Sequence, residues 1–576
     1  MEVSVMSIDT VWLLLGAMLI FFMQAGFAMV EAGMTRAKNA GNIVMKNLMD
    51  FACGSPVFYL VGYGLMFGVA NGFLGGIHPF ALGLGNAHGM MGTVPLWVHI
   101  AFNTMFCATA ATIVSGAMAE RTKFSAYLLY SIVISAVIYP IAGHWSWGGG
   151  WLASLQIAHW SAGFHDFAGS ANVHVVGGVC ALVGSLFLGP RIGKYEKDGT
   201  PKAILGHSIT LAALGVFILW FGWFGFTTSS TYGLHSTEQA FTAGHVFLST
   251  NVSAAVGAVA AMAFTWIRFG KPDVSMTLNG ALAGLVAITA GCDVIAPWLS
   301  SVVGAIAGVL VVLSVEFFEK VLKIDDPAGA ISVHGVNGLW GTLAVGLFAR
   351  DGGLCVTGDA SRLLTQLAGA VSIIVFVACC AFVLFGVIKK TVGLRVTASE
   401  EIAGLDAQVH GLKSGYAGFL SAFSQEEVQE AEEAGVNLPM ESAIPVAHLS
   451  EAAQGKAMKQ VVIITRQSKF DSLKIALNKV GITGMTVSNV MGCGVQKGAS
   501  EFYRGTPVDV NLLPKVKVEI VVSKVPVQTV IAAARKTLYT GHIGDGKIFV
   551  YDVEDVVKVR TGESGYDALQ NDGEPV

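Results

Sequence analysis

Charged side chains are scarce in this chain of 576 residues. Asp, Glu, Lys and Arg make up 13% of the sequence, against roughly 25% in ordinary soluble domains. Hydrophobic residues make up 53%, and a net charge of −4 gives no basic surface for a nucleic acid. The eight cysteines show neither CxxC nor His-associated metal spacing. This composition excludes an ordinary soluble protein and a nucleic-acid-binding protein. The spacing of the cysteines predicts no metal site.

Long windows of the sequence contain no Lys or Arg at all. These windows are residues 47–120, 124–190, 203–267 and 272–319. Because a membrane-crossing helix needs about 20 mostly apolar residues, each window holds two such helices and their loop. The acidic N-terminus lacks the basic region of a signal peptide, so the first apolar run is expected to be retained as a span. The sequence predicts eleven spans, at 9–33, 47–68, 95–119, 125–143, 168–189, 203–226, 245–267, 275–291, 297–318, 334–349 and 363–388.

The basic residues gather between these windows, and every cluster follows an odd-numbered span. The first cluster is Arg36, Lys38 and Lys46. By the positive-inside rule, the N-terminus is predicted outside and the residues after about 390 in the cytoplasm. Arg350 and Arg362, in the last external loop, are a mild exception.

A nine-residue pattern, D-x-A-G-x-x-x-V-H, occurs twice, from Asp166 to His174 and from Asp326 to His334. It opens span five from outside and span ten from inside, so two five-helix repeats of opposite topology are predicted. Inverted repeats of this kind hold their site near the midplane, at the repeat interface.

The two histidines are predicted to meet near the centre of the membrane. Eight residues at 1.5 Å each reach about 12 Å, close to half of a hydrocarbon core. A single His in an apolar context is usually a satisfied core residue, but two at matching places indicate a substrate or proton path. Asp166 and Asp326 are interpreted mainly as helix caps.

Several aromatic residues border this predicted path. Phe102 and Phe106 share a helix face, Trp223 and Phe226 end span six, and Trp147 precedes span five. These rings either anchor the protein at the membrane interface or capture a small cation. The residues alone leave both interpretations open.

Residues 9 to about 415 resemble the ammonium transporter/Rhesus family. The resemblance rests on residues 31–33, 38–39, 119–125, 147–150, 166–174, 222–226 and 334–336. It implies a homotrimer in the cytoplasmic membrane, one ammonium pore per subunit, and passage of ammonia and a proton along the histidines. It implies external recruitment by Phe102, Trp147 and Ser230 with support from Asp166, a gate of Phe106 and Phe226, pore-lining Trp223, and the pore histidines His174 and His334.

The sequence changes character after the membrane part. Residues 1–415 are predicted as a transporter domain with a cytoplasmic tail, and residues 416–457 as an acidic linker. Residues 458–576 are predicted as an α+β domain of the ferredoxin-like order βαββαβ. Its strands are predicted at 459–465, 483–490, 516–523 and 547–552, and its helices at 468–480 and 525–538.

Motifs in this last domain resemble a P-II nitrogen-signalling protein, over roughly 110 residues. The resemblance implies ATP or ADP bound between subunits, with magnesium and 2-oxoglutarate as co-ligands. The matching positions are Thr486, Gln496, Lys515, Gly544, Lys547 and Arg560.

Three positions depart from the usual P-II pattern. Val495 and Lys558 stand where Arg is usual, and Val508 replaces the tyrosine that many relatives uridylylate. Uridylylation there is therefore excluded, and a different nucleotide ligand remains possible.

Arg504 occupies the position of the loop arginine with which free P-II proteins plug ammonium transporters. The hypothesis is that the fused domain gates its own pore; the alternative is that Arg504 is a solvated loop residue. The leading function is regulated ammonium transport, and its rival is an ammonium sensor that signals through the P-II domain with little transport. An enzymatic role is not expected, because no catalytic dyad is evident.

Overall fold

The computed structural model divides the chain into two compact units, residues 1–415 and 416–576. It describes residues 2–86, 89–412, 458–492, 501–503, 506–508, 513–541, 545–559 and 562–569. The predicted linker, Gln496, Arg504, Gly544 and Arg560 lie outside the described residues.

The first unit is built from helices, because a helix satisfies every backbone N–H within one apolar segment. In the described chain, ten helical segments are long and apolar enough to cross a membrane: Ser4–Met34, Ala37–Phe67, Leu96–Ala117, Phe124–Ser146, Ser170–Leu188, Ile209–Thr231, Thr237–Phe269, Pro297–Val321, Ile331–Phe348 and Ser361–Thr391. The eighth predicted span, 275–291, is instead a shorter apolar helix of 15 residues, Val274–Ile288. Ten of the eleven predicted spans therefore have a helix of membrane-crossing length.

The α-helices of this unit are numbered in chain order. They are α1 (Glu2–Met34), α2 (Ala40–Val57), α3 (Tyr63–Phe67), α4 (Leu96–Ala117), α5 (Phe124–Val133), α6 (Tyr139–Ser146), α7 (Val176–Leu188), α8 (Ile209–Thr228), α9 (Thr237–Phe269), α10 (Val274–Ile288), α11 (Pro297–Glu316), α12 (Asn337–Phe348), α13 (Leu354–Thr357), α14 (Ser361–Thr391), α15 (Ala398–Ala403) and α16 (Leu405–His410). Two short strands, β1 (Met90–Met91) and β2 (Val94–Pro95), pair in the loop before α4.

The two copies of the repeated pattern adopt the same local structure. A π-helical turn, Ser170–Val175, leads into α7, and a second, Ile331–Val336, leads into α12. Wide turns of this kind are rare in proteins and are frequently found at functional sites, and the described residues of this unit form three further ones, Phe58–Gly62, Ile134–Ile138 and Phe317–Val321. Each of the two turns in the repeated pattern carries one of its histidines.

Helix α7 and the π-helical turn before α12 approach each other closely at a pair of glycines, Gly178 and Gly335. A Cβ atom added to Gly178 would lie 2.3 Å from the Cα atom of Gly335. Small residues allow such backbone contact between membrane helices. This contact brings the two π-helical turns together in the core of the unit.

One basic residue lies elsewhere than predicted. Lys46 was expected in a loop cluster before a span that begins at residue 47. The helical span begins at Ala37, and the Lys46 side chain is 1% exposed beside Glu31 of α1. The charge pattern did not predict this buried position, because Glu31 neutralises the charge of Lys46 within the helix bundle.

The second unit is an α+β domain. Its strands are β3 (Met458–Arg466), β4 (Thr486–Gly492), β5 (Glu501–Tyr503), β6 (Thr506–Val508), β7 (Leu513–Val522) and β8 (Lys547–Val553), and its helices are α17 (Phe470–Lys479), α18 (Val527–Leu538) and α19 (Gly565–Ala568). The four long strands form an antiparallel sheet in the order β4-β7-β3-β8. The predicted sequence of strands and helices is confirmed, and the segment predicted as a long loop contains the hairpin of β5 and β6.

Alternation of side chains along β7 explains the core of this unit. Val516, Val518, Ile520 and Val522 are buried, whereas the residues between them are partly exposed. Residues at a spacing of two share one face of a strand. That face packs with apolar residues of α17 and α18, including Leu473 and Val530.

Candidate functional site

The two histidines of the repeat meet inside the membrane unit. Nδ1 of His334 lies 3.2 Å from Nδ1 of His174, and the ring centroids are 5.1 Å apart with 23° between the planes. Both side chains are buried. An imidazole has one donor and one acceptor nitrogen when neutral, so a shared hydrogen bond lets the pair pass a proton between the rings.

Each histidine is positioned by an aspartate eight residues earlier. The Asp166 carboxylate accepts hydrogen bonds from the backbone N–H groups of Gly169, Ala171 and Asn172, at 2.8–3.0 Å. The Asp326 carboxylate accepts from Ala330 and Ile331 at 3.0 and 2.7 Å. These bonds satisfy the free donors at the start of each turn, which confirms the predicted capping role.

Two stacked phenylalanines lie on one side of the histidines. The ring centroids of Phe106 and Phe226 are 4.3 Å apart, with 31° between the planes. Phe226 lies 5.8 Å from the His174 ring. The Trp223 indole stacks on His174 at 5.1 Å and donates from Nε1 to the Thr289 hydroxyl at 3.0 Å. Trp223 thereby holds the imidazole in its orientation.

A cavity of about 270 Å³, called the outer cavity after the predicted orientation, lies beyond the phenylalanine pair, and its volume suits a small solute. Trp147 and Ser230 line this cavity together with Phe106. Asp166 reaches the cavity wall indirectly, because its backbone carbonyl accepts a 2.6 Å hydrogen bond from Nε1 of Trp147. Phe102 is fully buried and packs against Phe106, with ring centroids 5.0 Å apart.

The same cavity has polar lining residues that the sequence reasoning missed. His99, Asn103 and Tyr232 line it, and the Tyr63 hydroxyl lies 2.9 Å from Nδ1 of His99. His99 and Asn103 are separated by four residues on α4, as are Phe102 and Phe106, so the helical period was an available signal.

An inner cavity of about 30 Å³ lies on the other side of the histidine pair. It is lined by His334 and by polar residues of three further helices, namely Glu31, Thr112 and Asn279. Sequence reasoning did not connect Glu31 with the histidines. The His pair thus lies between the phenylalanine pair, which borders the larger cavity, and the small cavity lined by His334.

A buried ion network stabilises the loops at the inner ends of the helices. Arg191 contacts Glu120 at 3.0 Å and Asp325 at 2.8 Å, and Arg36 contacts Glu120 at 2.5 Å. Burial raises the pKa of Glu120, but Arg191 and Arg36 outweigh it and hold that pKa at about 2. Burial also raises the pKa of Asp325, but Arg191 and Arg121 outweigh this effect and lower that pKa below its ordinary value. These carboxylates are therefore ionised at every physiological pH.

In the second unit, the described members of the predicted nucleotide site do not converge within one chain. Thr486 lines a cavity of about 580 Å³ together with Gln460 and Glu519. Lys515 pairs with Arg466, and Lys547 pairs with Ile464, at the opposite end of the sheet. Glu519 lies four positions beyond Lys515 on β7, a separation of about 13 Å. One copy of the unit thus presents the predicted nucleotide residues on two separate parts of its surface.

Among the described residues, no group of three His, Cys, Asp or Glu side chains could hold a metal ion. Lys558, one of the departures from the P-II pattern, forms a 3.1 Å ion pair with Glu563.

Comparison with known proteins assigns both units. Residues 11–415 match the Ammonium Transporter Family, and residues 458–563 match the Nitrogen regulatory protein P-II. The ammonium transporter Amt2 of Archaeoglobus fulgidus is 49% identical over 418 residues, which cover 70% of this chain and 87% of that protein. A putative ammonium transporter of Synechocystis is 44% identical, covering 70% of this chain and 88% of the relative. Among solved structures, a "Sensor Amt Protein" matches with a TM-score of 0.66 and 38% identity, over 71% of this chain and all of that one.

Proposed function

We propose a function that starts from family membership: the chain belongs to the ammonium transporter family and carries a P-II domain at its C-terminal end. Its relatives are transporters rather than enzymes. The proposed function is ammonium transport across the cytoplasmic membrane, through a pore that contains His174 and His334 and is regulated by the P-II domain.

The observation that carries this proposal is the 3.2 Å contact between the two histidines beneath the stacked Phe106 and Phe226. An aromatic face and a hydroxyl replace part of the hydration shell of a small cation, a role that Trp147 and Ser230 fit in the outer cavity. Ammonium then gives up its proton near the phenylalanine gate, and ammonia and the proton cross along the histidines. Potassium has no proton to give up and is rejected.

The proposed architecture is a homotrimer with one pore per chain. Each chain has eleven spans in two inverted five-helix repeats, with the N-terminus outside and a ferredoxin-like P-II domain in the cytoplasm. The identical nine-residue patterns, which open two π-helical turns that meet at the histidines, support the repeat. The sheet order β4-β7-β3-β8 supports the ferredoxin-like fold.

The P-II domain is proposed to bind ATP or ADP, with magnesium and 2-oxoglutarate as co-ligands, or another nucleotide. The lysines Lys515 and Lys547, with Thr486, supply the donors that phosphates and carboxylates require. Arg504 is proposed as the residue that blocks the cytoplasmic end of the pore. A covalent tether favours such a contact, because it raises the effective concentration of the domain near the pore.

The second candidate function is an ammonium sensor with little transport. It is favoured by the similarity to the "Sensor Amt Protein", all of which is covered by this chain. Both functions use the same histidines and the same outer cavity. They differ in whether ammonium passes through or only binds.

Flux into proteoliposomes decides between these functions. We expect the chain truncated before residue 458 to carry ammonium-dependent flux, and we expect nucleotide or 2-oxoglutarate to change the flux of the full chain only. A truncated chain without any ammonium-dependent flux would reject the transporter. Full and truncated chains with equal flux under every effector condition would reject gating by the P-II domain.

A further inference from the structure

A buried ion pair lies next to the pore, on the inner side of the histidines. Oε1 of Glu31, on α1, is 3.0 Å from Nζ of Lys46, on α2. The two side chains are 5% and 1% exposed. The Lys46 ammonium also lies 5.0 Å from the ring centroid of Tyr127. An ionisable side chain within a membrane domain is expensive to keep and usually serves a transport path.

The Glu31 carboxylate has further hydrogen-bond donors besides Lys46. Nδ2 of Asn47 donates to Oε2 at 2.9 Å, and the Ser115 hydroxyl lies 2.8 and 2.7 Å from the two oxygens. A buried ion pair without such hydrogen bonds would gain little. The Glu31 carboxylate is therefore fixed in position by Lys46, Asn47 and Ser115.

The same carboxylate has access to the histidines. Glu31 and His334 both line the inner cavity, whose volume of about 30 Å³ holds roughly two water molecules. Nδ1 of His334 is engaged with His174, so Nε2 is the nitrogen left for a partner in this cavity. His334 and the Glu31 carboxylate thus border the same small cavity.

We propose that Glu31 accepts the proton that leaves the histidine pair and passes it to the cytoplasmic side. The N–H bond of His334 breaks, and an O–H bond on Glu31 forms through the cavity water. That O–H bond then breaks, and the proton goes to ammonia or water on the inner side. The inference rests on the proposed transport function and names the residue by which the proton leaves.

Lys46 is the positioning residue of this step. While Glu31 is ionised, the ion pair is neutral and the low-dielectric surroundings tolerate it. When Glu31 takes up a proton, the ammonium of Lys46 loses its partner, which makes the protonated state short-lived. The pair therefore accepts a proton without trapping it.

The test separates proton movement from ammonia movement in the full chain. Currents evoked by ammonium are recorded from proteoliposomes on a solid support, and ammonia permeation is followed in the same vesicles by internal pH. For Glu31→Gln, we expect the current to fall by roughly 10- to 100-fold, as when a proton-transfer group is removed, while ammonia permeation stays within about twofold. Glu31→Asp should recover a large part of the current, because it restores the carboxylate.

Glu401→Gln is the matched control, because Glu401 is also a buried glutamate in an ion pair, with Arg395 at 2.8 Å, and does not line the inner cavity. It should keep the wild-type ratio of current to ammonia permeation. A wild-type current in Glu31→Gln, or an equal loss of current and permeation in a properly assembled variant, would overturn the proposal and leave Glu31 as a structural residue.

Two further outcomes are distinguishable. Wild-type vesicles that pass ammonia without any current would overturn the proton acceptor but leave the transport function intact, whereas vesicles without either would reject the transport function itself. If Glu31→Gln does not assemble, Ser115→Ala is used, since it removes one donor to the carboxylate and keeps the ion pair. A drop of about threefold in current relative to permeation supports the proposal, and an unchanged ratio overturns it.

Discussion

The two units of this chain differ in how much of their proposed site a single chain supplies. In the membrane unit, the predicted gate and both histidines form a row in a single chain, in which the centroids of successive rings are less than 6 Å apart. In the P-II unit, the described residues Thr486, Lys515 and Lys547 lie on separate parts of one sheet. The first unit contains its own repeat, which supplies both halves of the site. The second has one copy of its fold and is expected to need a neighbouring chain for the other half.

The largest effect is expected when both histidines of the membrane unit are replaced. Replacing His174 and His334 together by Leu should lower the ammonium-evoked current by roughly 100-fold, because no group remains to carry a proton between the two cavities. Current and ammonium-over-potassium selectivity are measured in proteoliposomes. His245→Leu is the control, since His245 bonds to the Ile295 carbonyl away from the pore. Unaltered current and selectivity in the double variant would show that the pair is structural.

The sequence was sufficient for this site because its signals are local and duplicated. Each histidine follows its aspartate by eight positions. Because every residue adds the same length along a helix, the two rings are expected at a similar depth. The partners that bring the rings together were not predictable in the same way. Thr289 and Gly335 become neighbours of Trp223 and Gly178 only through helix packing, which no short spacing encodes.

A second comparison concerns the ion pairs of the two units. Glu120 is buried between Arg36 and Arg191, whereas Asp552 of the P-II unit pairs with Lys459 while 87% exposed. Glu120→Gln should therefore cost about 3 kcal/mol of stability at pH 7, because the buried Arg191 and the half-buried Arg36 both lose the Glu120 carboxylate. Asp552→Asn should cost under about 1 kcal/mol. Thermal unfolding of the purified protein measures both.

The pH dependence checks the same assignment. The pKa of Glu120 is held at about 2, below its ordinary value of 4.5. A lowered folded-state pKa stabilises the fold above the ordinary value, and this contribution disappears as pH falls towards 2. The gap in unfolding temperature between the wild type and Glu120→Gln should therefore be full at pH 7 and shrink between pH 4.5 and 2. A gap that is constant with pH would contradict the ionic interpretation.

A smaller effect tests the glycine contact between the repeats. Gly178→Ala places a Cβ atom 2.3 Å from the Gly335 backbone, and such overpacking costs about 1–3 kcal/mol. Because His174 and His334 lie shortly before these glycines on the two segments, the current should fall together with the unfolding temperature. Gly386→Ala is the control, since its nearest neighbour, the Phe187 ring, is 3.7 Å away. Equal behaviour of the two variants would show that α7 and the π-helical turn before α12 can move apart without loss of function.

Less of the proposed site could be predicted from the residues alone in the P-II unit than in the membrane unit. The strand and helix order followed from alternation along segments such as β7, and it is confirmed. The nucleotide positions came only from resemblance, and three of them lie outside the described residues. A site shared between copies leaves no periodic signal in one chain, because each copy carries only half of the contacts.

The smallest expected effect is measured in mixed oligomers, and it is the sharpest test of the comparison. Thr486→Ala and Lys515→Ala are each expected to weaken nucleotide binding by roughly tenfold, since each removes a donor to the ligand. If the two residues belong to different chains at each site, co-expressing both variants restores some sites in which neither partner is altered. Random mixing restores about a quarter of the wild-type binding stoichiometry when the interface is heterologous. Lys517→Ala, two residues along the same strand and paired with Glu519 at 3.1 Å, serves as the control and should bind nucleotide as the wild type does. No recovery on mixing would mean that one chain completes its own nucleotide site, and the contrast between the two units would then disappear.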